Sequence, residues 1–248
     1  IGLSSVSLSN GGSDIVLKDS DGNAINAISY SEKWYRDENK KEGGWSIERI
    51  NPDLFCEEEN NWKASSSNLG GTPGRKNAVS KDAVYIVPFR IERVYIKDSN
   101  HIILSFNKSV DSIVLSESSF TVNGNSSISQ HIIPPFFNEV CLGFGFEFYP
   151  SISYLISASN LIDCSGKSLA NSAVFGVPDS VLGESIVINE VLFNPKENGV
   201  DYVEIFNNSS SFFDLSKLRL ANFFSFGGEN YPEGVKEITN SPYLFNPY

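Results

Sequence analysis

Three features of the sequence predict an all-β chain with little helix. Short β-branched or alternating segments recur along its length. Clusters of Gly, Asn, Asp, Ser and Pro separate them, and no stretch of about a dozen residues carries a convincing 3.6-residue apolar period. The first strands fall at residues 15–17 and 27–30, on either side of Lys18-Asp19-Ser20-Asp21-Gly22-Asn23. Asp-Gly between apolar runs is a hairpin signal, so that segment is expected to be a plain turn and not a calcium loop, whose spacing and distal Glu it lacks. Residues 32–42 are polar nearly all round and read as an exposed loop. Trp45 and Trp62 read as core. Further on, Ile102, Leu104 and Phe106 carry the period-2 stripe of a half-buried strand. Val140, Leu142, Phe144, Phe146 and Phe148 repeat it, with Cys141 on the opposite face. Strands are also expected at 120–122, 154–158, 186–191 and 202–206.

Two seams divide the chain. Gly70-Gly71-Thr72-Pro73-Gly74 followed by a polar connector forms the first, and Pro178-Asp179-Ser180-Val181-Leu182-Gly183-Glu184 the second. The blocks are 1–80, 85–178 and 185–248. The central one has the strand-and-turn rhythm of an immunoglobulin-like sandwich and can bury a core by itself. The last is small enough to lose much of its burial to surface.

The charge of −11 and a pI near 4.7 repel phosphate backbones and argue against nucleic acid as a partner. No apolar run reaches the roughly 18 residues of a membrane span. Methionine is absent, even at position 1, so a piece of a longer protein is expected. Cys56, Cys141 and Cys164 are too few for a disulfide framework, and their pairing is open. His101 and His131 stand alone and no cysteine has a neighbouring ligand, so neither a metal nor another cofactor is expected.

Block three opens with Val187-Ile188-Asn189-Glu190-Val191, Asn194-Pro195, 201–207 (DYVEIFN) and 214–220 (DLSKLRL). These resemble the opening half of the bacterial lamin-tail domain, a small Ig-like sandwich. Block one resembles its closing half, through Leu8-Ser9-Asn10-Gly11-Gly12, the Asp19 to Asn23 hairpin, Trp45-Ser46-Ile47-Glu48-Arg49, Asn61-Trp62, and Gly71-Thr72-Pro73-Gly74 with Asn77. The central block is similar to Ig-like modules of bacterial surface proteins, through 104–111 (LSFNKSVD) and 161–167 (LIDCSGK). The resemblance implies that residues 1–80 and 185–248 are halves of a second, lamin-tail-like β-sandwich. Half a sandwich exposes its inner face, so the two are expected to assemble with each other, within a molecule or by segment exchange in a dimer.

Candidate chemistry is sparse. Glu190, Asp201 and Glu204 could converge as acid/base groups, but alternation favours solvated carboxylates. Glu57-Glu58-Glu59 reads as a solvated loop. Gly166-Lys167-Ser168 lacks the P-loop glycine, since position 161 is Leu161. Gly143 and Gly145 sit in a strand and not in a dinucleotide fingerprint, and no GxSxG elbow accompanies a histidine. Aromatic pairs are the larger excess: alternation cannot bury both rings of Trp34-Tyr35, Phe136-Phe137, Phe212-Phe213 or Phe223-Phe224 on one face, so some of these rings are expected to be exposed or at an interface. Phe136, Phe137, Phe223, Phe224 and Phe226 are therefore the candidate ligand-binding residues, for a sugar face or a protein. The expected function is a non-catalytic structural and adhesion module of a secreted or cell-surface multimodular bacterial protein, with its neighbouring modules as partners. The alternatives are a carbohydrate-binding module, or an accessory domain of an extracellular nuclease or phosphoesterase.

Overall fold

The computed structural model describes residues 7–54, 56, 59–80, 82, 84, 86–196 and 199–247. It is built almost wholly from antiparallel strands in short sheets, as the sequence predicts.

In the first block β1 (Gly12–Lys18) and β2 (Ala24–Ser31) form a hairpin, with Ile15 opposite Ile28 and Val16 opposite Ala27. The Asp19 carboxylate closes its turn by accepting the amides of Asp21 and Asn23, both at 2.9 Å. The Asn23 side chain also donates to it and holds its pKa below the ordinary aspartate value. This is the plain turn read from the sequence. Residues 32–42 are not an extended exposed loop. A 3-10 turn (Glu32–Tyr35) and one α-helical turn (Glu38–Lys41), capped by Asp37, occupy them. Trp34 is only 4% exposed and stacks on Trp62, ring centroids 5.4 Å apart. Four-residue helical pieces are too short to show an apolar stripe, and a single large ring suffices to anchor them.

Strand β3 (Ile47–Arg49) pairs with β4 (Trp62–Ala64). Trp45 and Trp62 are half-buried, not core: Lys40 lies 4.5 Å over the Trp45 ring and Arg49 5.1 Å over Trp62. Buried Asn61 shapes the loop between the strands. Its amide donates to Asn51 O (2.6 Å) and Leu54 O (2.7 Å), and its oxygen accepts from the Asn51 amide. The motif at Trp45 to Arg49 meets the motif at Gly71 to Asn77 through Glu48. Thr72 Oγ1 donates to Glu48 Oε1 at 2.5 Å, the Ala78 amide donates to Oε2 at 2.9 Å, and Asn77 Nδ2 donates to Arg49 O at 2.8 Å. Burial pushes the Glu48 carboxyl up, but hydrogen bonds from Thr72, Ser65 and the Ala78 and Val79 amides outweigh it and leave the pKa lowered. A lowered carboxyl pKa adds stability above the unfolded value near about 4.3 and loses it as pH falls through the folded value. All three tryptophans lie in this block, so their emission reports on it alone. Glu48→Gln places an amide donor against the Thr72 and Ala78 donors. It is expected to cost this block about 1.5–3 kcal/mol at neutral pH and to flatten the acid limb of its emission-monitored unfolding below about pH 4.

The central block holds β5 (Ile91–Ile96), β6 (His101–Phe106), β7 (Ser119–Val122), β8 (Asn125–Ser126), β9 (Ser129–Ile133), β10 (Glu139–Gly143), β11 (Tyr154–Ser159) and β12 (Ala173–Phe175). They form two four-stranded sheets, ordered β5-β6-β10-β9 and β12-β11-β7-β8. Ile102, Leu104, Phe106, Val140 and Leu142 of the first pack with Phe120, Val122, Ile156 and Phe175 of the second in one core cluster. This is a closed sandwich. The strand expected across 140–148 ends at Gly143. There the Phe144 amide donates to Asn100 O (2.9 Å) and the Phe148 amide to Ser99 O (2.7 Å), so the chain follows the β5–β6 turn instead of the ladder. Phe144, Phe146 and Phe148 instead form a ring cluster with centroids 5.3 to 5.6 Å apart, which continues onto Tyr154 and Phe175. A buried ion pair, Lys108 Nζ to Asp163 Oδ2 at 3.4 Å, lies beside this core with both side chains at most 1% exposed.

The last block holds β13 (Ile186–Leu192), β14 (Tyr202–Asn207), β15 (Phe213–Asp214), β16 (Arg219–Phe226), β17 (Glu229–Glu237) and β18 (Leu244–Phe245). They pair as β13–β14, β15–β18 and β16–β17. Buried Asn207 ties these pieces together, its amide donating to Ser211 O (2.8 Å) and Asn246 O (3.0 Å). Phe212 and Phe213 are buried, and Leu244 packs against the central core. The Phe212 ring lies against Gly176, just past β12, where a Cβ would come within 2.3 Å of it. Only glycine lets this ring seat so closely.

The flanks are fastened to the sandwich at different places. A disulfide joins Cys56 to Cys164, with Cα atoms 5.9 Å apart, and Cys141 is free and buried. The last block holds on through Phe212, Leu244 and a 3.0 Å hydrogen bond from Arg93 to Ser241 Oγ. Among the described residues, every strand of 7–80 pairs within its own block, and so does every strand of 185–247. The lamin-tail-like sandwich expected from the two segments thus has no ladder joining them inside this chain.

Candidate functional site

The five candidate phenylalanines do not form one platform. Phe136 and Phe137 follow a cis Pro134-Pro135 bond in the loop between β9 and β10, and Phe137 has φ 56°. Their carbonyls are tied down, Phe136 O accepting from Ser109 Oγ and Phe137 O from the Val110 amide, both at 2.8 Å. Both residues are half-buried. They line a cleft of about 350 Å³ whose other wall is β2 from Ala24 to Ala27, with Cys164 at its base. Phe136 also lines a polar cleft of about 970 Å³ that touches all three blocks, through Asp14, Arg93 and Ser241. These two residues sit at the seam between the first hairpin and the sandwich.

Phe223, Phe224 and Phe226 lie on the β16–β17 ribbon and are 70%, 47% and 74% exposed. Adjacent Phe223 and Phe224 take opposite faces, as alternation requires, and both faces are open. Phe224 stacks on its cross-strand partner Tyr231 at 5.6 Å. A two-stranded ribbon exposed on both faces is marginal by itself in water.

The acidic residues of the last block are brought together only in part. Glu190 and Glu204 are direct partners across β13–β14, and both are exposed. Each receives a neutral donor, Tyr202 Oη on Glu190 at 2.5 Å and Asn189 Nδ2 on Glu204. The Glu190 hydrogen bond raises the Tyr202 pKa. Among the described residues no three metal-ligating side chains cluster.

Two arrangements have no counterpart in the sequence reading. The first is at His101, whose Nδ1 lies 2.8 Å from Asp98 Oδ1. The His101 ring and Ser129 Oγ both crowd Gly143, the cross-strand neighbour of both residues. Asp98 also accepts the Asn100 and His101 amides, so it is the capping carboxylate of the β5–β6 turn, and the His101 hydrogen bond lowers its pKa. None of the clefts described here includes these groups. The second is an apolar cleft of about 490 Å³ between the β1–β2 hairpin and the β3–β4 pair. Leu8, Ile15, Ile28, Tyr35, Ile47 and Trp62 line it.

No family model matches the chain, and no curated protein matches it. Among solved structures it is similar to the N-terminal part of the bacterial S-layer protein SbsC, at 15% identity over 65% of this chain and 44% of that one, TM-score 0.31. It is also similar to S-layer protein rSbsC(31-844), at 19% identity over 65% of this chain and 26% of that one, TM-score 0.32. The chain spans less than half the length of either. A likeness this slight carries no argument about fold or function.

Proposed function

We propose that the chain is a non-catalytic structural module of a secreted or cell-surface multimodular protein. It holds neighbouring modules at a fixed spacing and orientation. The observation that supports this most is the clamping of both flanks onto a closed sandwich, one by the Cys56–Cys164 disulfide and the other by Phe212 on Gly176. A disulfide between segments 108 residues apart needs an oxidising compartment to persist, which favours a place outside the cytoplasm. The half-buried Phe136 and Phe137 fit the same role as packing at a seam between blocks. The sequence resemblance to lamin-tail and surface-module sandwiches points the same way.

A carbohydrate-binding role draws support from one feature, the exposed rings of the β16–β17 ribbon. The test uses the protein in its native cells. Membrane-impermeant biotinylation should label it, and thiol counting after denaturation should find one free cysteine, Cys141. Recovery from the cytosol with three free thiols would reject the proposal. Glycan-array binding abolished by Phe224→Ala would replace it with the carbohydrate reading.

A further inference from the structure

Both faces of the β13–β14 hairpin carry apolar residues, and one of them is largely uncovered. Ile205 and Val203 share a side of β14, and their partners across the ladder are Ile188 and Val191, with a bulge between them. Ile188 is 61% exposed, Val191 52%, Val203 36%, and Phe193 just beyond the strand 83%. The opposite face carries Glu190, Glu204 and Tyr202, joined by hydrogen bonds to their neighbours, together with Val187, Leu192 and Phe206, which are half-buried. An apolar sheet face as open as the first is built to lie on a core.

The complementary feature is the cleft of the first block, between β1–β2 and β3–β4, whose apolar residues are joined in the lining by Glu32, Lys41 and Glu42. Its two walls are separate two-stranded sheets that share no ladder. Ile15 in its wall remains 38% exposed and Leu8 at its rim 51%. In one chain no residue of the last block lines this cleft, and the two flanking blocks are anchored at different points, one at Cys164 and the other at Gly176.

We propose that the β13–β14 hairpin of one molecule seats its Ile188, Val191, Phe193 and Val203 face in the Leu8, Ile15, Ile47 and Trp62 cleft of a second copy of this chain. The contact is head-to-tail: each copy has one donor hairpin and one acceptor cleft, so association propagates into a row unless it closes into a ring. Taking about 150–250 Å² for the Phe193 ring and less for Ile188, Val191 and Val203, the open hairpin face is roughly 400 Å². With a comparable area from the cleft the total is about 800 Å², below the roughly 1,200 Å² at which stable interfaces begin, so a weak, concentration-dependent contact is expected. This rests on the structural-module reading and names that module's partner.

Sedimentation velocity on the oxidised full chain, over a concentration series from micromolar to millimolar, tests it. The expected result is a concentration-dependent series of dimers and larger species, with a shift in emission from Trp62 at the cleft. Val191→Glu and Ile15→Lys should each weaken association about tenfold or more, because each sets a charge in an apolar contact. Mixing the two variants should restore a one-to-one dimer and nothing larger, since one keeps its cleft and the other its hairpin. If either strand substitution disturbs folding, judged by circular dichroism, the more exposed Phe193→Glu and Leu8→Glu replace them. A strictly monomeric chain would overturn the inference. So would association lost in Val191→Glu but unchanged in Ile15→Lys, which would mean hairpin-to-hairpin pairing. An oligosaccharide filling the cleft of a monomer would also overturn it. A monomer labelled at the surface with Cys56–Cys164 oxidised leaves the structural-module reading standing, so the two failures are distinguishable.

Discussion

Replacing Lys108 by Met should destabilise the central sandwich by about 3–5 kcal/mol, the usual consequence of removing one partner from a buried ion pair. The Lys108 ammonium and the Asp163 carboxylate are sealed from solvent, and Asp163 Oδ2 has no hydrogen-bond donor besides facing Lys108 at 3.4 Å. Met fills nearly the same volume, so little of the loss would come from a cavity. The remainder would be the cost of a carboxylate left buried without its countercharge. Asp163→Ala should cost at least as much, because Asp163 Oδ1 also accepts the Ser165 amide, the Ser165 hydroxyl and the Lys167 amide at 2.7 to 2.9 Å. That carboxylate therefore shapes the loop carrying Cys164. Urea-dependent amide hydrogen exchange in β6 and β10, the inner strands of one sandwich sheet, measures both. A loss of about 0.5 kcal/mol or less, the size of an ordinary surface substitution, would remove the pair from the account of stability.

The sequence reveals this fold wherever a local pattern is sufficient. Ile102, Leu104 and Phe106 alternate, and they lie in β6 facing the core. Asp19 to Gly22 spells a hairpin turn, and the turn is there. The reading fails where distant groups decide. Phe144, Phe146 and Phe148 keep the period of a strand, yet hydrogen bonds to Ser99 and Asn100 pull them out of the ladder. Strands as short as β3 and β12 carry too few residues to show a period, and they exist because Glu48, Phe175 and their neighbours are buried by other segments. The candidate site shows the same division. That adjacent rings cannot share a face follows from alternation, and Phe223 and Phe224 are both exposed accordingly, whereas Phe212 and Phe213 are both buried, the Phe212 ring lying against Gly176 of the sandwich. Which pair meets a seam does not follow, since Phe136 reaches the β1–β2 hairpin more than a hundred positions away. The apolar cleft at Ile15 and Trp62 depends on two sheets from different parts of the block and leaves no local trace. Lys108 is a similar case: its place in the sequence reads as a turn, and only the fold reveals a charge at 2% exposure.

Removing the disulfide should have the second large effect, concentrated in the first block. Cys56 and Cys164 close a loop of 108 residues, and constraint of the unfolded chain over such a span is worth about 2–5 kcal/mol. Among the described residues, 7–80 have no ladder to the sandwich, and their own sheets are two-stranded pairs that are marginal alone. The sandwich has a continuous core of its own and does not depend on the bridge. In the double variant Cys56→Ser and Cys164→Ser, thermal unfolding should therefore split in two. Tryptophan emission from Trp34, Trp45 and Trp62 should melt early, while amide protection in β6 and β10, at the centre of one sandwich sheet, is lost only at higher temperature. Reduction of the unaltered chain should reproduce this split, and re-oxidation should reverse it. A single transition, unchanged by reduction and reported alike by both signals, would show that the seam at Phe136 and Phe137 couples the two bodies without the covalent link. The rigid spacing assigned to this module would then rest on packing between blocks.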